Sequence, residues 1–548
     1  MGFSAITQPR RLGGLPRLLK KVELGSEVST ASIYLVESVS MIKNVSSGKS
    51  GDPAGDFREA SNLLQNSISA LRRAEADGNI PGDLKNELND VNTLVDLISG
   101  SAYHFPKIFG FEGEKKYLIL FQNNMELRPG GGFIGSYGTV KLNKGKIEDF
   151  KIYDVYSADG QLRGHVEPEY PLRRYLPTAH LYLRDSNFGL SFSQNASSAA
   201  RLLNLSLNEK VDGVIGVDLS LVQNILREIG PVKVADYKET VTEENLFLLT
   251  EEKAEKGFFP GSTQKKDFLK SLYNSILFVL TSKRSIPYFA LAKSVSSSVD
   301  EKHLMFSFDD SVIQNTFSVN GWGGVMRDER AEASNKINDF LGINEANLGV
   351  NKVNYFISRS ISKQLTINEN GKVVSSVTIV FKNNSKSGQW PGGGYKNYLR
   401  IITPTNTSLE GIIIDGKKQE ITDAIVNPLV YERQNFTPPS GLEVEEFEDQ
   451  EKKVVGFLIN IPPNSLKTVK LNYKFEKRIN LKNKTFDYSL LYYKQPGVER
   501  IPVDLSITYP NKIFLTSKPE EFKNSENKTF GSLSLVKDER IDFSFSQR

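Results

Sequence analysis

Tyr117-Leu-Ile-Leu-Phe121-Gln-Asn-Asn-Met-Glu126-Leu-Arg128-Pro-Gly-Gly-Gly132-Phe-Ile-Gly135-Ser-Tyr-Gly138 is the stretch on which the fold turns. It opens with five residues, Tyr117 to Phe121, in which nothing polar interrupts. A strand with one wet face would alternate, so this run predicts a strand covered on both faces, as in a layered α/β sheet. Polar chemistry follows at once: Gln122, Asn123, Asn124, Glu126 and Arg128 crowd the strand's carboxyl end, where open α/β sheets bind their ligands.

Gly130, Gly131, Gly132 and Gly135 leave backbone N–H groups uncovered and accept positive φ. Two readings stand. With Arg128, Asn123, Asn124 and Asn187 they would make an anion-binding concavity; alternatively they form a turn and a bulged strand start. Gly130-x-Gly132-x-x-Gly135 matches the dinucleotide fingerprint, but that motif requires a helix next. Here Ile134, Ser136, Gly138, Val140 and Leu142 keep a period of two, and Asn143-Lys144-Gly145 turns the chain into a second strand near Ile147–Val155. The pattern predicts a hairpin.

The rest of the composition mostly excludes. A chain of 548 residues has room for several cores. A net charge of +4, with 24% charged residues, makes no strong electrostatic case for nucleic acid or for an anionic membrane. There is no cysteine, which removes disulfides, zinc ribbons and thiol catalysis. The four histidines, His104, His165, His180 and His303, have no ligand spacing, so no zinc site is expected. No apolar run reaches the roughly 18 residues of a membrane span, and the start lacks the apolar core of a signal peptide.

Outward from the opening stretch, four regions separate. Residues 1–24 form a basic, Gly- and Pro-interrupted tail or linker. Residues 25–104 carry helical periodicity in three amphipathic stretches: Leu35 to Ile42, Phe57 to Leu71, and Leu84 to Ile98 with Asp83 as N-cap. Over 105–348 strands and helices alternate. A strand is read over His180–Asn187, a helix over Asn195–Leu205, a buried strand over Val211–Val217 running into a helix capped by Asp218 and stopped by Gly230-Pro231, and further elements around Phe268–Val279 and His303–Phe308. The expected architecture is a central α/β/α layered domain with a mixed sheet. From 349 to 548 short alternating strands are separated by turns such as Asn370-Gly371, Asp415-Gly416 and Gln495-Pro-Gly497, which predicts a C-terminal antiparallel β-sandwich region, one sandwich or two. The whole is α+β multidomain, with the helical segment N-terminal. Pro391-Gly-Gly-Gly394 repeats the earlier Pro-Gly-Gly-Gly without a wider repeat around it.

Four stretches resemble the bacterial envelope family catalogued as a domain of unknown function, DUF4012: Gln122-Asn-Asn-Met-Glu126-Leu-Arg128-Pro-Gly-Gly-Gly-Phe-Ile-Gly135, Leu183-Arg-Asp-Ser-Asn187, Val211-Asp-Gly-Val-Ile-Gly-Val-Asp218 with Gly230-Pro-Val232, and Asn351-Lys-Val-Asn-Tyr355. The Gln495-Pro-Gly497 region is similar too. The family implies an extracytoplasmic envelope protein, membrane-anchored in full-length form through a segment preceding the helical region. Its α/β part is distantly similar to LytR-CpsA-Psr enzymes, which transfer a glycopolymer from a polyprenyl pyrophosphate carrier to the cell wall with magnesium bridging the pyrophosphate. Arg184-Asp185 is similar to their Arg-Asp pair. Their late Arg-Gln-Gln helix would fall at Gln264-Lys265-Lys266-Asp267-Phe268, where lysines stand instead.

Two functions follow. In the first, Glu126, Arg128, Arg184 and Asp185 are catalytic: the arginines grip phosphate oxygens of a lipid-linked glycan or wall polymer, and the carboxylates act as base or hold magnesium. In the second the chain is a non-catalytic surface scaffold or binding protein whose sandwich takes a glycan or protein, and the same four residues form a structural ion-pair network. A hydrolase lacks a signature, with no Gly-x-Ser-x-Gly and no histidine paired to a nucleophile.

Overall fold

The computed structural model describes residues 50–76, 103–255, 264–282, 288–326, 335–386, 388 and 390–547, with scattered positions between 30 and 45. The basic tail over 1–24, most of the first expected helix, and the third with its Asp83 cap lie outside the described residues. Two compact units interleave in sequence. One takes the residues up to Gln122, Ile134–Arg163 and Ala196–Val325; the other takes Asn123–Phe133, Gly164–Asn195 and everything from Met326.

The first unit is built on a five-stranded mixed sheet of β1 (Lys115–Asn123), β2 (Phe133–Asn143), β3 (Lys146–Asp154), β4 (Gly213–Asp218) and β5 (Leu304–Phe308), in the order β3-β2-β1-β4-β5. The apolar run is thus the central strand. It pairs parallel with β4, from Tyr117 opposite Gly213 to Gln122 opposite Asp218, while β5 runs antiparallel to β4. The β2–β3 hairpin turns at Lys144 and Gly145, both with positive φ (48° and 75°), the geometry whose twist matches the flanking strands. Asp218 ends β4 and caps the helix Leu219–Ile229 by accepting from the Leu221 amide at 3.2 Å. Its other oxygen meets His303 Nδ1 at 2.6 Å. Gly230, at φ 78°, closes the helix. Tyr117, Val140, Val299, Phe308, Ile313, Phe317 and Trp322 pack together beside the sheet. The helix Pro53–Ala76 buries Phe57, Ala60, Leu64, Ile68 and Leu71, the stripe read from its periodicity, and sets Phe57 edge-on to Phe105 at 5.7 Å.

The second unit is a sandwich of two eight-stranded sheets. Its strands are β6 (Lys336–Asn347), β7 (Ile357–Ile367), β8 (Val373–Asn383), β9 (Tyr395–Pro404), β10 (Thr407–Ile414), β11 (Lys417–Lys418), β12 (Ile421–Asp423), β13 (Leu442–Asp449), β14 (Lys452–Ile461), β15 (Ser465–Phe475), β16 (Thr485–Tyr493), β17 (Ile501–Thr508), β18 (Ile513–Ser517), β19 (Lys523–Ser525), β20 (Lys528–Leu535) and β21 (Glu539–Gln547). One sheet runs β12-β13-β14-β9-β6-β16-β21-β18 and the other β11-β10-β15-β8-β7-β17-β20-β19. The inward residues of both, Ile361, Val377 and Ile379 from one and Ile401, Phe457 and Leu490 from the other, share a single core.

Two expectations are corrected. The sandwich begins at β6, before 349, because that strand lies at the centre of its sheet and is covered almost throughout, so it lacks the alternation by which its neighbours are recognised. The sheets are predominantly antiparallel, as expected, with parallel pairings between β6 and β16, β7 and β17, and β12 and β13. In each sheet a parallel pairing, β6–β16 or β7–β17, joins a five-strand set to a three-strand set. Finally, His180–Asn187 holds no strand. Leu183–Asp185 is a 3₁₀ turn, where the Asp185 amide donates to Tyr182 O and Ser186 Oγ to Leu183 O at 2.8 Å, so the segment coils instead of extending along a sheet.

Candidate functional site

Within the second unit, the loop Asn123–Phe133 is clamped by three segments distant in sequence. Locally it folds by short-range bonds: the Glu126 amide donates to Asn123 O at 3.0 Å, the Met125 amide to Asn123 Oδ1 at 3.1 Å, and the Phe133 amide to Glu126 O at 2.9 Å. The Leu183–Asn187 segment then receives the Gly130 amide on Asn187 O at 2.9 Å, and Asn187 Nδ2 donates to Gly132 O at 2.5 Å. On another side the Leu127 amide donates to Asn354 Oδ1 at 3.1 Å, the Asn354 amide to Met125 O at 3.2 Å, and the Asn347 amide to Leu127 O at 2.9 Å. Gln495 Nε2 donates to Arg128 O at 3.1 Å, and Asn124 Nδ2 to Gly497 O at 3.1 Å. The fit allows no side chain at two positions. A Cβ on Gly132 would stand 2.3 Å from the Asn123 backbone, and one on Gly497 (φ 77°) would stand 1.9 Å from Gly131 O.

Four of the charged side chains meet inside this clamp, with Arg184 half-buried at its edge. Arg128 Nη2 lies 3.1 Å from Glu126 Oε1 and Nη1 donates to Asn347 O at 2.5 Å. Lys352 Nζ takes the other Glu126 oxygen at 2.5 Å. Asp185 Oδ1 lies 4.0 Å from Arg128 Nη2, and its Oδ2 3.4 Å from Arg184 Nε. Phe133 stacks under both cations, 5.5 Å from Arg128 Cζ and 5.8 Å from Lys352 Nζ. Glu126, Arg128 and Asp185 are no more than 2% exposed, whereas Arg184 lies over the Tyr182 ring at 4.2 Å.

The two carboxyls diverge. Burial pushes Glu126 up, but Lys352 and Arg128 together outweigh it and hold it below the ordinary carboxylate range. Burial dominates at Asp185, against Arg128 and Arg184, and pushes it up, with Glu126 adding to the rise. Asp185 Oδ1 accepts no hydrogen bond.

Residues some fifty-five positions apart are thus brought together, but not on an open rim. Asn123, Asn124, Gly130, Gly131, Gly132 and Asn187 are all buried, and the Gly130 and Gly131 amides already donate to Asn187 O and Arg128 O, so the anion-cradle expectation gives way to a packed turn. Nor do Glu126 and Asp185 fit magnesium, since each Glu126 oxygen holds a cation and a guanidinium stands where a metal would bridge the pair. Among the described residues no group of three or more His, Asp or Glu side chains is placed to hold a metal ion. Lys352, Asn354, Asn347 and Gln495 completed the cluster without having been singled out for chemistry. The signal was present in part: Asn351–Tyr355 and Gln495–Gly497 both carried the family resemblance. The second Pro-Gly-Gly-Gly run meets the same connector, with the Lys352 amide donating to Pro391 O and Asn351 Nδ2 to Gly394 O at 2.9 Å.

A groove of about 350 Å³ opens elsewhere, on the outer face of the sheet containing β7, β8, β10 and β15. Gln364, Thr366, Ser376, Glu410, Lys418 and Asn472 line it. Glu410 lies 3.5 Å from Lys372 and 3.9 Å from Lys474. The β10–β15 register slips between Leu409 and Gly411, and that bulge breaks the flat sheet surface.

Residues 112–254 match the family described as Protein of unknown function (DUF4012), so the resemblance read from the motifs holds over that segment. No curated protein matches the chain. Solved structures match in part. A putative nutrient binding protein (lpg2210) from Legionella pneumophila is 9% identical, with 35% of this chain and 67% of that one covered and a TM-score of 0.21. The transcriptional regulator yvhJ from Bacillus subtilis is 13% identical, with 37% and 77% covered and a TM-score of 0.22. TagT bound to LI-WTA is 9% identical, with 30% and 64% covered and a TM-score of 0.20. The chain spans 42% of an M1 zinc metallopeptidase from Deinococcus radiodurans that it also matches. No helix among the described residues is long and apolar enough to cross a membrane.

Proposed function

Taking the DUF4012 match over 112–254 as premise, we propose that this chain is a non-catalytic binding protein of the bacterial cell envelope, and that its sandwich holds a hydroxyl-rich wall glycan in the sheet-face groove. The observation that carries the reading is the groove's lining. Amides (Gln364, Asn472), hydroxyls (Thr366, Ser376), a carboxylate (Glu410) and an ammonium (Lys418) supply both donors and acceptors on an outward sheet face, beside the apolar Val374 and Ile413. A vicinal diol needs both, and a near-neutral lining selects neither a strong anion nor a strong cation. The buried cluster supports the same reading from the other side. Glu126 and Arg128 are spent on each other, on Lys352 and on Asn347 O, which makes them a clamp that fixes the loop into the sandwich.

Calorimetric titration of the purified protein with wall oligosaccharides tests the proposal. Saturable binding is expected, weakened about tenfold or more by the pair Gln364→Ala and Asn472→Ala, since two neutral hydrogen bonds contribute roughly 1 kcal/mol each. Absence of glycan binding, or capture of a protein ligand at the groove instead, refutes it. A second arm incubates the protein with lipid-linked pyrophosphate oligosaccharide, with and without magnesium. Phosphate release abolished by Arg184→Ala would restore the glycopolymer transferase reading.

A further inference from the structure

Neither the clamp nor the groove uses the charged pair at the centre of the sandwich. Asp339 projects from β6 and Lys363 from β7, that is, from opposite sheets, and both side chains are 0% exposed with Nζ 2.8 Å from Oδ2. Their neighbours on the same strand faces, Ile337 and Leu341 around Asp339 and Ile361 and Leu365 around Lys363, belong to the apolar core. Polar groups meet the pair, and the Phe340 amide donates to Asp339 Oδ1 at 2.8 Å. Tyr488 donates to Asp339 Oδ2 at 2.6 Å. Tyr473 accepts from Nζ at 2.5 Å and stands 3.4 Å from Oδ1, and Ser375 Oγ accepts from Nζ at 2.8 Å.

An amine and a carboxyl held in contact, without solvent, by rigid sheets are the reactants of amide formation at very high effective concentration. We propose that Lys363 and Asp339 condense into an intramolecular isopeptide bond that joins the two sheets. The step balances within the pair. The ammonium proton passes to the carboxylate, leaving a neutral amine and a carboxylic acid. The nitrogen lone pair attacks Cγ and the C–N bond forms. The C–O bond to the protonated oxygen then breaks, and that oxygen leaves as water, taking its second proton from the attacking nitrogen. Nothing is oxidised or reduced and no co-reactant is consumed.

The surroundings favour each stage. Burial pushes the Lys363 ammonium down, against the opposing pull of Asp339, and so favours the neutral amine. Burial also pushes the Tyr473 and Tyr488 hydroxyls well above their ordinary range, so both remain donors. Tyr488 polarises the carboxyl and meets the oxyanion as it develops, while Tyr473, in reach of both Nζ and Oδ1, carries the proton between them. The product has no charge to desolvate, whereas the ion pair it replaces carries that penalty in full.

The test is the intact mass of the purified full-length chain, measured under denaturing conditions. The expected mass is one water below that of the sequence, and digestion should yield a branched peptide linking the segments around 339 and 363, with no tryptic cleavage after Lys363. Lys363→Arg should restore the full sequence mass. A wild-type chain at full mass, or a water loss that maps to any other residues, overturns the proposal, and neither result requires the variant to fold.

Discussion

Replacing Glu126 with glutamine and Asp185 with asparagine should move stability in different directions, although the two carboxyls flank one guanidinium. Glu126 carries a cation on each oxygen, Arg128 Nη2 at 3.1 Å and Lys352 Nζ at 2.5 Å. Glutamine keeps the shape, but it presents an N–H to one cation and loses the charge that held both. Charge-assisted bonds of this kind are worth about 1.5–3 kcal/mol each, and breaking a buried pair costs about 3–5 kcal/mol, so Glu126→Gln should lose roughly 3–5 kcal/mol. Asp185 pairs more loosely, and its folded pKa is raised by burial. Its contribution is complete below the unfolded value near 3.9 and is lost as pH rises through the folded value, so at neutral pH Asp185→Asn should be neutral within about 1 kcal/mol or stabilising. Glu126 has the opposite sign. Its folded pKa is lowered, so its stabilisation is present above the unfolded value near 4.3 and is lost as pH falls through the folded one. Hydrogen exchange reads both variants locally, because the Leu127 and Asn347 amides are held only while the clamp is closed. Glu126→Gln should speed their exchange by about a hundredfold to a few thousandfold at pH 7 and far less at pH 3. Equal losses in the two variants, or a Glu126→Gln loss below about 1 kcal/mol, would refute the charge assignment.

Gly497→Ala should cost about 3 kcal/mol or more, because it combines a left-handed backbone with a Cβ placed 1.9 Å from Gly131 O; calorimetry should show the lowered Tm, and an unchanged Tm would mean that the two segments are not in contact. Asp218→Ala removes both the cap of the helix Leu219–Ile229 and the partner of buried His303, for about 2–4 kcal/mol. Trp322 fluorescence reports this loss, since that ring packs 5.2 Å from Phe317 in the core of the same unit. Arg184→Ala, on a half-buried side chain stacked on Tyr182, should cost no more than about 1 kcal/mol in the urea midpoint.

What the sequence disclosed was what short-range rules encode. The unbroken run Tyr117–Phe121, the Lys144-Gly145 turn, the Asp218 cap and the Gly230 stop each report on residues within a few positions, and the structure keeps all of them. The clamp was beyond such rules: Asn124 and Gly497 are 373 residues apart, and no local pattern pairs them. The reading that grouped Glu126 with Arg128 followed the polar crowding after β1, and Asp185 joined them through the family resemblance. It did not foresee Lys352 and Asn347, which close the cluster off from solvent. The 3₁₀ turn at Leu183 resembled a strand because Leu181 and Leu183 are both buried, which a turn anchored at two points also achieves. The core pair left a trace that periodicity could have found. In Ile361-x-Lys363-x-Leu365 and Ile337-x-Asp339-x-Leu341 a charge of each sign occupies an inward register position.

The loop that leaves β1 has a temporal consequence as well as a spatial one. A ribosome delivers Asn124 long before it delivers Gly497, and at about 5–20 residues per second the intervening 373 positions take roughly 20–75 seconds. For that interval an acidic and a basic side chain destined for a dry interior must wait in water, and the hairpin on either side of them can form only around an unfinished insertion. Maturation of this protein is therefore gated by its last strands, and a nascent chain stalled short of residue 495 would keep that loop open to proteases that the completed molecule excludes.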